Sequence, residues 1–170
     1  MLGLCILTAA CSDLGGPLPP TAPSGANQVT GAQMQAIGGP NIEVTFTKWV
    51  DPSFPLFRGV ALFRGDDVPN EFAATVLDRT AFDNGNIVDL RAEYRVIAAD
   101  GARSFTVVIE GKQNNQTRHA VLNGTVTDST GGWLTGARVH VAFDVIEPCP
   151  QYSKPRCFTG ILRVLAGSAD

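Results

Sequence analysis

Basic residues are missing from the first 47 positions. All 13 lysines and arginines lie from Lys48 onward, and Asp13 and Glu43 are the only charges before it. From about residue 12 to 40 the chain is instead rich in Gly, Pro, Ser and Ala. That composition cannot bury apolar area and reads as a flexible tether. Charge is sparse throughout, at 17% of residues, with a net charge of -3 and a pI of about 5.3. No basic footprint for a nucleic-acid partner exists. Long apolar runs are also lacking. The longest opening stretch, Met1 to Ala10, is about half the 20 residues a spanning helix needs. Signature motifs are absent as well: no G-x-S-x-G, P-loop, G-x-G-x-x-G, H-E-x-x-H or calcium-loop pattern occurs. With only His119 and His140, and two cysteines outside the leader, a structural metal set cannot be assembled. The expectation is therefore a domain with no assigned catalytic residue, metal or cofactor.

What is present begins with MLGLCILTAAC. An apolar run of this length followed by small residues fits a secretory signal. The Leu7-Thr8-Ala9-Ala10-Cys11 segment resembles the lipobox of bacterial lipoproteins. That resemblance implies a lipidated Cys11 as the mature N-terminus and a membrane contact through the lipid anchor, in the cell envelope. The alternative is an ordinary cleaved signal and secretion. Residues 1–11 are then the leader, 12–40 the tether, 41–166 one folded domain and 167–170 a tail. In an exported protein Cys149 and Cys157 are expected to form a disulfide across CPQYSKPRC. Closing nine residues is worth about 2.5 kcal/mol in loop entropy.

Within the domain the apolar period is two. Ile42, Val44 and Phe46 share one face of IEVTFTKWV. In IVDLRAEYRV, Val88, Leu90, Ala92, Tyr94 and Val96 oppose Asp89, Arg91, Glu93 and Arg95. Similar alternation predicts about eight strands: 42–50, 56–64, 71–78, 87–98, 104–111, 118–127, 133–146 and 157–165. The segment 71–78 also fits a short helix. Short polar or Gly-rich connections favour an antiparallel meander, closed as an up-and-down barrel, with a two-sheet sandwich as the alternative. Gly59, Gly111, Gly124, Gly136 and Gly160 are expected at bends or bulges. Gly-punctuated strands behind a lipoprotein leader are similar to small lipocalin-like barrels of bacterial envelopes. The likeness is architectural and carries no site residue across.

Three functions remain open. A barrel of this size can hold a small apolar ligand. Alternatively, the amide-rich stretch 112–118, including Asn114 and Asn115, could bind an envelope partner or a glycan, with Trp49 or Trp133 as a stacking face. In the third, Arg138, His140 and Asp144 would face a lumen and His140 would carry a proton. Their alternation with Val139, Val141, Phe143 and Val145 favours an outward, solvated face instead. His119 reads as an exposed strand-edge residue, and Asp83-Asn84-Gly85-Asn86 as a turn.

Overall fold

A computed structural model describes residues 41–52 and 55–165. The leader, Cys11 and the tether lie outside the described residues, as does the tail. Eight strands follow one another: β1 (Ile42–Val50), β2 (Leu56–Phe63), β3 (Asn70–Phe82), β4 (Ile87–Ile97), β5 (Phe105–Asn114), β6 (His119–Ser129), β7 (Arg138–Ile146) and β8 (Cys157–Leu165). Each pairs antiparallel with its sequence neighbours, and β1 pairs with β8, so the sheet closes as an up-and-down barrel. Closure satisfies every strand edge. The doubtful segment 71–78 is strand, because its alternation puts Phe72 and Ala74 on the buried face opposite Val96 and Tyr94.

Three boundaries differ most from expectation, the first being β3, which runs to Phe82 and not 78. β7 starts at Arg138, not at 133, because positive-φ Gly131, Gly132 and Gly136 hold residues 130–136 in turns. β5 runs on to Asn114, so the hairpin tip lies at 115–118, with Arg118 at φ 59. The bulges are not at the glycines. They fall between Val76 and Asp78 on β3 and at Thr127 on β6, where the register shifts by one residue. The in-strand glycines answer a different need. At Gly124 a Cβ would meet the Val108 carbonyl oxygen at 1.9 Å, and at Gly160 the Ala142 oxygen at 2.2 Å. The strands coil so tightly there that the neighbouring backbone occupies the side-chain position.

The two ends of the barrel are unlike. One end carries both chain ends of the domain and is plugged: Phe63 and Phe105 meet edge to face at 6.2 Å, with buried Leu134 among the core residues. Arg103 lies 4.7 Å from the Phe63 ring centroid and clamps Asp66 with hydrogen bonds of 2.7 and 3.1 Å. The other end is formed by the β1–β2, β3–β4, β5–β6 and β7–β8 connections, and it is open.

Candidate functional site: a chamber with a lysine at its floor

A cavity of about 520 Å³ opens at this second end. Its walls come from the inward positions of all the strands, among them Phe57, Leu90, Ala92, Leu122, Phe143 and Val145. Phe57, Phe143 and Phe158 interlock edge to face, with centroids 5.5 and 5.8 Å apart. Below them Phe46 stacks on Phe72 at 4.8 Å, and Tyr94 packs edge-on against both. These rings separate the chamber from the plugged end.

Lys48 sits between the two aromatic sets. Only 4% of its surface is exposed. Its Nζ lies 3.9 Å from the Tyr94 ring centroid, 4.7 Å from Phe143, 5.2 Å from Phe57, 5.7 Å from Phe158 and 5.8 Å from Phe46. The amine is hydrogen-bonded to the Tyr94 hydroxyl. Among the described residues no carboxylate pairs with it. Burial without a counter-charge pushes the Lys48 amine well below the usual lysine range. The same burial pushes the Tyr94 phenol above its ordinary value and keeps it neutral. The ring faces favour an ammonium, but cation–π attraction is worth about 2 kcal/mol when desolvated. Burial of an unpaired charge opposes that attraction and shifts the balance toward the neutral amine.

The mouth is basic. Arg79, Arg118 and Arg156 line it, with Glu147 paired to Arg156 and lying 3.8 Å from Arg118. Arg79 reaches the mouth because of the β3 bulge: Val76 and Arg79 both face inward, while Asp78 between them faces out. Gln113 and Asn115 complete the rim, and Val50, Leu56 and Phe82 are exposed apolar side chains at this end.

The residues singled out from sequence are scattered. Cys149 and Cys157 are joined, with Cα atoms 5.7 Å apart, and tie the β7–β8 connection beside the mouth. Asn115 lines the rim, but its amide donates to the Gly85 carbonyl and its oxygen accepts from Gln113. Asn114 accepts from the Gln116 and Thr117 amides and so builds the turn. Trp49 points outward, stacked on Tyr152 at 4.8 Å. Trp133 packs against the core near the plugged end, far in the fold from the rim amides. Trp49, Trp133 and the amides therefore form no common patch. Arg138 and His140 are on the outer face, where His140 Nδ1 is 2.9 Å from Asn123 Oδ1. His119 and Asp144 pair at 2.7 Å, also outside. The lumenal His140 arrangement does not occur, since the apolar face of β7 takes the inside. Among the described residues no cluster suited to a metal is present.

Lys48 and Tyr94 were within reach of sequence reading. The alternation that puts Val44 and Phe46 inside continues to Lys48, two residues further on. Arg79 was not, because strict alternation sends Asp78 inward. Neither a family model, nor a curated protein, nor a solved structure matches the chain.

Proposed function

We propose that the domain carries a small, largely apolar molecule with a polar or anionic end, and that it does so outside the cytoplasm on a lipid anchor at Cys11. The open chamber of about 520 Å³ carries this reading, since its volume lies in the range of ligand sites and its inner walls are aromatic and aliphatic below a polar mouth. The arginines at the mouth suit a ligand whose anionic end stays near water. The joined cysteines suit an oxidising compartment. Residue 41 enters at the plugged end, so an anchor attached through the preceding chain would leave the mouth on the far side.

The test is titration with 1-anilinonaphthalene-8-sulfonate, an apolar body with one anionic group. The wild-type chain gives saturable fluorescence enhancement. Ala92→Trp, which fills the chamber, abolishes it, and His140→Ala on the outer face keeps it. Equal binding by Ala92→Trp and wild type would refute the carrier reading.

A further inference from the structure

We propose that Lys48 is a covalent site, whose amine condenses with the carbonyl of an aldehyde-bearing apolar ligand seated in the chamber to form an imine. The inference rests on the carrier reading and names the ligand class. Three observations carry it. The amine is at the floor of the chamber of about 520 Å³, where a ligand entering head-first would place its terminal carbon. No carboxylate pairs with it to hold it as a structural ion pair, and five aromatic rings surround it. Its one polar partner is the Tyr94 hydroxyl, a proton donor and acceptor in contact with the reacting nitrogen.

Burial shifts the amine toward its unprotonated form, which is the nucleophile. The other titratable groups facing the chamber are Tyr94 at the floor and Arg79, Arg118, Glu147 and Arg156 at the mouth. Their balance is positive.

The nitrogen lone pair attacks the aldehyde carbon, the carbonyl π pair moves to oxygen, and a proton passes from nitrogen to that oxygen, giving a carbinolamine. The Tyr94 hydroxyl then protonates the departing hydroxyl, which leaves as water. The resulting iminium returns its N–H proton to the Tyr94 oxygen. Amine and aldehyde give imine and one water, Tyr94 ends unchanged, and no oxidant or reductant takes part.

The chain has only three lysines, Lys48, Lys112 and Lys154, so a modified site is unambiguous. The full chain at pH 7 is incubated with 2-naphthaldehyde and cyanoborohydride, which reduces an imine to a stable secondary amine, and modified peptides are quantified by mass spectrometry. Binding of 2-naphthalenemethanol, which lacks the carbonyl, is measured in parallel by its fluorescence. The expected result is modification of Lys48 at least about tenfold faster than of Lys112 or Lys154, since exposed lysines are almost wholly protonated at this pH. Tyr94→Phe slows modification of Lys48 by about a hundredfold, in the range of acid–base assistance. If the alcohol binds but Lys48 is modified no faster than the surface lysines, the covalent site is refuted and the carrier reading stands. If neither compound enters the wild-type chamber, both are refuted.

Discussion

Lys48 lies among aromatic rings with no carboxylate beside it, and removing a polar amine from water with one hydrogen bond in return is unfavourable. Lys48→Met removes that cost but leaves the buried Tyr94 hydroxyl without its partner, so a stabilisation of about 1–3 kcal/mol in urea unfolding should appear when Lys48→Met is combined with Tyr94→Phe. The pH dependence has a defined sign. Burial lowers the folded-state value of Lys48, so between that value and about 10.4 the unfolded chain holds a proton that the folded chain does not. Stability then rises with pH, by up to about 1.4 kcal/mol per unit. Tyr94 acts in the opposite sense. Its folded-state value is raised, so above about pH 10 the unfolded phenol loses its proton while the folded one keeps it, and stability falls. Unfolding measured at intervals from pH 7 to 11 should show a maximum near pH 10. Lys48→Met should remove the rise and leave the alkaline fall. A wild-type profile that is flat between pH 8 and 10 would mean that the amine is charged in the fold.

At the scale of single strands, what decides the site is parity. A strand sends alternate residues to opposite faces, so one extra residue reverses everything after it. The bulge at Leu77 turns Arg79 to the mouth, and the one at Thr127 turns Ser129 inward, where its hydroxyl accepts from the Leu134 amide at 3.0 Å. Deleting Leu77 should leave the pairing of Arg79 with Leu90 and its place at the mouth intact, whereas Arg79→Gln should weaken the anionic naphthalene sulfonate by about three- to tenfold, with the neutral alcohol held as before. Parallel titrations of the two probes measure this. Close strand crossings are the other local device. Gly124→Ala places a methyl against the Val108 backbone, which cannot yield as a side chain would, and should cost about 2 kcal/mol or more. These same features set what could be read from sequence. The clean alternation in β1, β4 and β7 made the barrel, the inward rings and the outward His140 legible before any coordinates. Alternation fails at a bulge, because nothing in TVLDR distinguishes a regular strand from one with an extra residue, and so Arg79 was hidden. The amides of 112–118 leave both a binding patch and a hairpin tip open in the sequence, because spacing alone does not reveal that Asn114 and Asn115 bond within their own turn and its neighbour.

For the molecule as a whole, plugging one end and opening the other makes the barrel a one-sided vessel, with aromatic layers as its floor and arginines around its mouth. The sulfonate probe should bind less tightly as salt rises from 0.05 to 0.5 M, and 2-naphthalenemethanol should not, since only the former uses the charges at the mouth. The central claim is that the inside of the barrel, and not its outer face or hairpin rim, is the binding surface. Heteronuclear NMR of the isotopically labelled chain, titrated with 1-anilinonaphthalene-8-sulfonate, tests it most directly. Shifts are expected at Leu90, Ala92, Leu122, Phe143 and Val145, with Arg138, His140 and Asn123 unmoved. Shifts confined to the outer strand faces or to the plugged end around Trp133 and Leu134 would contradict it.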